Sequence, residues 1–356
     1  MTDRSIPSLD GLRAVSIGLV LWSHAAVGMH FGSFAPSNAV GELGVQIFFV
    51  ISGYLITKLL LKEYVRTSRL RLGAFYLRRA TRIMPAYFVY LAVVAGAIAM
   101  GWLQWPSDGR WWPALTYTSN VVPTNAWAVG HSWSLSVEEQ FYLTWPFALA
   151  KLGPKRARWV ALAAILSGPV IRALIFGATR DGFRTGTWNH DLIAMGCLLA
   201  LMEDRLQRHD YWRALMNSRL FVLIPISALA LFLGTIGGFR WVFAFYVLVG
   251  IPLVGLGITL TVAWCIHNSR GRIGRLLNCQ PLRAAGILSY SLYLWQECFL
   301  TTDRRNSIPV AIGCAVLMAV ASYYLVERPG IRLRQWLTKH PIKPLPRVGY
   351  TPGSVE

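Results

Sequence analysis

The sequence predicts an all-α polytopic membrane helical bundle of about ten transmembrane helices, with both termini cytoplasmic. Three observations predict it. Of 356 residues, 54% are hydrophobic and only 14% charged, against about 25% charged in a typical soluble domain. A charge at mid-bilayer costs several kcal/mol, so a shortage of charge fits a chain built for lipid. Apolar runs recur along the chain at lengths close to the ~20 residues that span a bilayer as a helix. Lysine and arginine are distributed unevenly between those runs.

The runs are 12–30, 43–61, 83–102, 134–152, 159–177, 189–203, 219–236, 242–266, 284–301 and 308–326, the sixth being the shortest. Residues 103–133, rich in Trp, Pro and Asn, read as a long interfacial loop, because indoles favour the headgroup layer. With the N-terminus inside, 28 of the 35 Lys and Arg fall on the cytoplasmic side, a strong positive-inside bias. The exceptions are Arg110, Arg172, Arg180, Arg184, Arg240, Arg304 and Arg305. Residues 1–335 form the membrane unit; residues 336–356 end in the Pro- and Gly-rich "IKPLPRVGYTPGSVE" and read as a cytoplasmic tail. The net charge of +19 does not indicate nucleic acid, since the basic residues sit between apolar runs instead of on one soluble face. The five cysteines have neither metal spacing nor a disulfide framework. Ser23-His24-Ala25 has a small-x-small pattern, but the acidic Asp3 and Asp10 beside Arg4 and Arg13 are unlike a signal peptide's n-region.

The first helix carries an unusual pair. Arg13 and His24 are eleven residues apart in "GLRAVSIGLVLWSH". That is three turns plus about 20°, so they share a face, roughly 16 Å apart along the axis. Ile17, Val20 and Leu21 lie between them. An anionic ligand with a long thin arm and a reactive tip, such as an acyl-coenzyme A, fits that strip. The same two residues also fit plainer roles, Arg13 as a snorkelling anchor and His24 as a bond to a neighbouring helix. Arg78, Arg79 and Arg82 in "FYLRRATRIMPAY" bring guanidinium forks suited to phosphate to the same edge, or anchor lipid headgroups. In "HSWSLSVEEQFYLTWP" one of Glu138 and Glu139 must face the bundle, because lipid excludes a carboxylate. That carboxylate would fix the His24 tautomer. Gln296, Glu297 and Glu327 are further polar candidates, Glu327 in an ion pair at the cytoplasmic edge. Ser52 lacks a G-x-S-x-G turn and reads as a supporting residue, beside a Gly53 that permits close helix approach.

These residues carry a resemblance. "SLDGLRAVSIGLVLWSH", "GVQIFFVISGYLIT", "FYLRRATRIMPAY", "HSWSLSVEEQFYL", "GILSYSLYLWQ" and "YYLVERP" run in order from residue 8 to 329. With them the chain resembles the acyltransferase 3 family of integral membrane acyltransferases. The resemblance implies transfer of an acyl group, most often acetyl, from cytoplasmic acyl-coenzyme A to a hydroxyl of a carbohydrate such as a surface polysaccharide or O-antigen unit. It implies a bacterial inner membrane and no metal. It makes Arg13 and His24 the essential pair, places Arg78, Arg79 and Arg82 at the donor's phosphates, and makes Glu138 the acid that accompanies His24. Asp10, Ser52, Glu139 and Gln296 are then substrate contacts or supports. The family commonly has histidine where Gln296 stands, and some members carry an appended esterase-like (SGNH-type) domain; this chain reads as a stand-alone member.

In the mechanism so implied, His24 removes the proton of the acceptor hydroxyl as it attacks the thioester; an acyl-His24 intermediate is the alternative. A different class also stays open. Apolar spans, membrane prolines at Pro169, Pro225 and Pro252 and buried polar residues also fit a transporter of an anionic or lipid-linked substrate, although no inverted repeat is visible.

Overall fold

A computed structural model describes residues 6, 8–28, 36–103, 110–122, 126–179, 188–234, 245–300 and 307–332. Arg4, Asp3, Trp105, Arg180, Arg184, Arg240, Arg304, Arg305 and the tail at 336–356 lie outside the described residues. Among the described residues there is no strand.

Helix α1 (Leu9–Gly28) buries Leu9, Ile17 and Val20 in the main core. It packs on α2 (Pro36–Thr67), where a Cβ on Gly44 would strike the Ser16 carbonyl oxygen. Small residues let the backbones approach, and this dispersion packing is what joins helices in a solvent as apolar as themselves. α2 extends beyond the expected run, and α3 (Leu72–Ala99) starts before its own. In both, the helix continues past the apolar run into cation-bearing residues, and neither 62–67 nor 72–82 contains a proline to break it. Lys58, Lys62 and Arg66 therefore extend α2 as a basic stem, and Arg78, Arg79 and Arg82 lie within the first turns of α3.

A short α4 (Trp112–Leu115) and a 3-10 turn at Trp127–Val129 lead into α5 (Ser132–Thr179). Gly153, at φ 72°, breaks α5 in two. Glycine tolerates that left-handed φ, and Pro154 then starts the second half. The halves correspond to the expected runs 134–152 and 159–177. α6 (His190–Leu206) crosses α2 at a reciprocal glycine contact. A Cβ on Gly53 would meet the Ile193 carbonyl oxygen, and one on Gly196 the Val50 carbonyl oxygen. The fully buried Arg172 forms a bidentate pair with Asp191, 2.8 Å to each oxygen, tying the second half of α5 to α6.

The chain continues through α7 (Asp210–Asn217), α8 (Leu223–Gly234), α9 (Ile251–His267), α10 (Arg272–Leu277), α11 (Gln280–Phe299) and α12 (Ile308–Ser322). Proline in the first turn opens α11 and α12, where its missing N–H costs nothing, whereas Pro252 of α9 follows a π-helical turn at Tyr246–Gly250. α11 lies along α1, with Gly286 against the Asp10 carbonyl. Helical segments overlie every expected run. By length and composition, however, five among the described residues qualify as spans, or six when the bent pair 210–217 and 219–233 is taken as one. The expected count of ten is thus not reached by that measure. One reason lies in the site: α1 and α11 carry its polar residues and bury them against each other and their neighbours.

Candidate active site

A cavity of about 1000 Å³ opens among α1, α2, α3, α5, α6 and α11, at the upper end of the ~300–1,000 Å³ usual for small-molecule sites. One end is basic: Lys58, Lys62 and Arg66 of α2 join Arg13, Arg79 and Arg82 in its lining. Its waist is apolar, with Leu9, Phe48, Phe49, Ile51 and Leu55. Ser134 and Tyr293 line it toward the far end, their hydroxyls 2.6 Å apart.

Several expected residues meet at the basic end. Arg13 and Arg82 are near enough to repel each other, with Asp10 and Glu138 as nearby opposite charges, and Lys58 pairs with Glu203 at 2.7 Å. The Arg79 guanidinium lies 3.6 Å above the Tyr142 ring and 3.5 Å from Glu139; stacking of this kind is specific to the planar fork. Its Nε is buried with no hydrogen-bond partner among the described residues. Asp10, Ser52, Glu138 and Glu139 also line the cavity. Both glutamates thus face the interior, where the sequence required only one. Ser52 Oγ and Tyr142 OH both donate to Glu138. Arg78 differs: it pairs with Glu63 at 3.2 Å and is absent from the lining. Glu327 is buried and accepts a hydrogen bond from Ser291, with Arg82 and Arg13 as nearby charges; its partner is a serine in place of the ion pair expected next to Arg328.

His24 is outside the cavity lining, and the carboxylate beside it is Glu297. His24 Nδ1 is 2.5 Å from Gln296 Oε1. His24 Nε2 is 3.7 Å from Glu297 Oε1. The Trp127 ring meets the imidazole edge-on, with centroids 5.5 Å apart. Glu297 Oε2 in turn accepts from His131, from Nδ1 at 2.7 Å and from the backbone N–H at 3.1 Å. The described contacts to His24 come from Gln296 and Glu297, while Glu138 accepts from Ser52 and Tyr142 nearer the arginines. The strip between Arg13 and His24 differs as well. Ile17 and Val20 are buried in the core, and α1 lines the cavity with Leu9, Asp10 and Arg13. The wall running toward His24 is supplied by α2 and α11, through Phe48 and Tyr293. Glu297 is one turn beyond Tyr293 on the same face of α11, so the imidazole cluster sits just behind the cavity's far end.

His131 and Tyr142 were not singled out from the sequence, and Glu297 only as one polar residue among several. A buried glutamate in an apolar helix was the available signal, since such a group needs a partner. Among the described residues no group of three His, Cys, Asp or Glu side chains is placed to hold a metal ion.

An amide and a carboxylate beside one imidazole, with a second histidine on that carboxylate, behind a cavity with a basic end, suit acyl or proton transfer with an anionic substrate. Relatives point the same way. The chain is 30% identical over 364 residues to the O-acetyltransferase OatA of Staphylococcus aureus, covering 92% of this chain and 57% of that protein. It is 28% identical over 351 residues to the peptidoglycan O-acetyltransferase OatA of Listeria monocytogenes, covering 90% of this chain and 54% of that protein. The chain therefore spans a little over half the length of these relatives. No solved structure matches it. The family model described as an acyltransferase domain matches residues 6–330, and the chain, an integral membrane protein, belongs to this acyltransferase 3 family.

Proposed function

We propose that the protein is an O-acyltransferase that moves an acetyl group from cytoplasmic acetyl-coenzyme A to a hydroxyl of a cell-surface carbohydrate, with a peptidoglycan glycan as the first acceptor to try. The observation that carries this reading is one continuous arrangement: six cations at one end of an elongated cavity, and a carboxylate-flanked imidazole behind the other end. The basic end faces the cytoplasm, as the positive-inside bias requires, and the membrane is the bacterial inner membrane. Arg13, Arg79 and Arg82, joined by Lys58, Lys62 and Arg66, hold the donor's phosphates, and Arg78 supports the helix surface from outside the cavity. The donor's arm follows the apolar waist toward Tyr293.

His24 performs the proton transfer. With Gln296 Oε1 on its Nδ1, the ring N–H sits on Nδ1 and the lone pair on Nε2. Nε2 takes the hydroxyl proton as the acceptor oxygen forms a bond to the thioester carbonyl carbon. The tetrahedral intermediate then expels the coenzyme A sulfur, which takes the proton back from Nε2. During this cycle the imidazolium lies against Glu297, which stabilises its charge. General-base assistance of this kind contributes about 10²–10⁴-fold. Glu138, with Ser52 and Tyr142, fixes the cavity wall beside Arg79 and offsets its charge.

The test is thiol release from acetyl-coenzyme A by protein in lipid nanodiscs, with soluble peptidoglycan fragments as acceptor and wild type beside His24→Ala. Acceptor-dependent release lost in His24→Ala, with coenzyme A binding retained, is the expected result. Labelled acetyl trapped on the protein without acceptor replaces direct transfer by an acyl-His24 route. Absence of coenzyme A binding by wild type refutes the enzyme and favours the transporter.

A further inference from the structure

We infer that His131 is a positioning residue for the transfer step: through Glu297 it sets the orientation and charge of the carboxylate that faces His24. This rests on the proposed role of His24.

The two oxygens of Glu297 are divided between two histidines. Oε2 receives both donors of one residue, the ring Nδ1–H and the backbone N–H of His131, at 2.7 and 3.1 Å. Oε1 is left facing His24 Nε2 at 3.7 Å. A carboxylate free to rotate about its last bond has a broad torsional preference; two donors from a single residue remove that freedom. His131 immediately precedes Ser132, where α5 begins, so its backbone N–H belongs to the positive end of a helix. That end favours a carboxylate in its ionised form.

The other side of the His131 ring explains why the carboxylate keeps its charge for His24. His131 is buried, and its Nε2 has no hydrogen-bond partner among the described residues. The ring edges meet Tyr90 and Tyr293, with centroids 5.5 and 5.3 Å away. A second ring proton would sit on Nε2 with no acceptor, at the cost of a buried unsatisfied donor. His131 therefore meets Glu297 as an Nδ1–H donor. It holds Glu297 without neutralising it, and the negative charge stays available to the imidazolium that forms when His24 takes the acceptor proton. A second imidazolium at His131 would cancel that charge. Tyr293 links this unit to the cavity: its ring lies against His131, and its hydroxyl reaches Ser134 Oγ at 2.6 Å.

The test uses the full chain in nanodiscs, acetyl-coenzyme A and soluble peptidoglycan fragments, and separates kcat from the KM for acetyl-coenzyme A. In His131→Leu, kcat falls by about ten- to a hundredfold, the usual loss when a buried orienting partner is removed, while KM stays within about twofold. His131→Asn keeps a donor near the Nδ1 position and restores kcat to within about threefold of wild type. In a Glu297→Gln background, His131→Leu lowers kcat by less than about twofold more, because the group it positions is already gone. Full kcat in His131→Leu overturns the inference, as does an undiminished loss in the Glu297→Gln background. Should the leucine variant fail to fold, His131→Asn decides: a kcat as low as that of Glu297→Gln overturns the inference. If His24→Ala is silent while the His131 variants keep full kcat, this inference alone falls. A wild type without turnover overturns the proposed function and this inference together.

Discussion

His24 Nδ1 and Gln296 Oε1 stand 2.5 Å apart across the contact between α1 and α11. An amide oxygen only accepts, so the bond places the ring proton on Nδ1 and the lone pair on Nε2, toward Glu297. Gln296→Leu removes the acceptor and frees the other tautomer. We expect kcat to fall by about ten- to a hundredfold with little change in KM. Gln296→His supplies a ring nitrogen as acceptor and retains most of the activity. Steady-state thiol release for both variants checks this; equal loss in the two would deny the amide its tautomer role.

The relation of α1 to α11 was legible only in part. Helicity, the membrane setting and the gathering of Arg13, Arg79 and Arg82 at one end all follow from apolar run length and cation placement, which act within single segments. Gln296 and Glu297 were visible as polar residues in an apolar helix, which says that they need partners but not which ones. The choice of Glu297 over Glu138 for His24 depends on how far α5 and α11 are inserted relative to α1. The close approach at Gly286 and Asp10 sets that register for α11, and no periodicity within α11 encodes it. His131 was missed because it lies ahead of its helix, where spacing arguments have no face to work with. Arg78 stands four residues before Arg82, a spacing that puts the two on one helix face, yet Glu63 pairs with it outside the cavity.

That last contrast yields a paired prediction. Arg79 stacks on Tyr142 and pairs with Glu139 inside the cavity, whereas Arg78 pairs with Glu63 outside it. Arg79→Lys loses the planar fork and its stacking while keeping the charge. We expect the KM for acetyl-coenzyme A to rise by about tenfold, equivalent to ~1.4 kcal/mol of binding. Arg78→Ala shifts KM by less than about twofold, since an exposed ion pair contributes ~0–1 kcal/mol. Titration of coenzyme A by calorimetry on the two variants is the check, and equal effects would remove Arg79 from the donor site.

Gly53 and Gly196 make a prediction about assembly instead of chemistry. Each would drive a Cβ into a backbone carbonyl of the opposite helix, and backbone cannot rotate aside as a side chain can. Gly53→Ala forces α2 and α6 apart, at a cost of about 1–3 kcal/mol typical of overpacking. Ser52, next to Gly53, would move away from Glu138 and Tyr142 with the helix. We expect a lower melting temperature in detergent together with reduced kcat. Gly73→Ala, at a site with nothing within reach of the new methyl, changes neither. A Gly53→Ala protein that melts like wild type would contradict the close crossing.

Arg172 and Asp191 are both fully buried and joined by two 2.8 Å bonds, and Arg172 also donates to the carbonyls of Val247 and Trp188. Removing one partner leaves an uncompensated charge in a medium without water, which costs about 3–5 kcal/mol, whereas removing both together often costs far less. Arg172→Leu and Asp191→Leu should therefore each lower the melting temperature strongly. The Arg172→Leu/Asp191→Leu double variant should recover part of the loss, held back by the carbonyls that lose their donor. None of these residues lines the cavity described, so protein that does fold should keep the wild-type KM for acetyl-coenzyme A. Melting curves across the four-protein cycle measure the coupling directly. Additive losses would mean that the pair is held by its backbone contacts, and that the tie between the second half of α5 and α6 does not depend on the charges meeting.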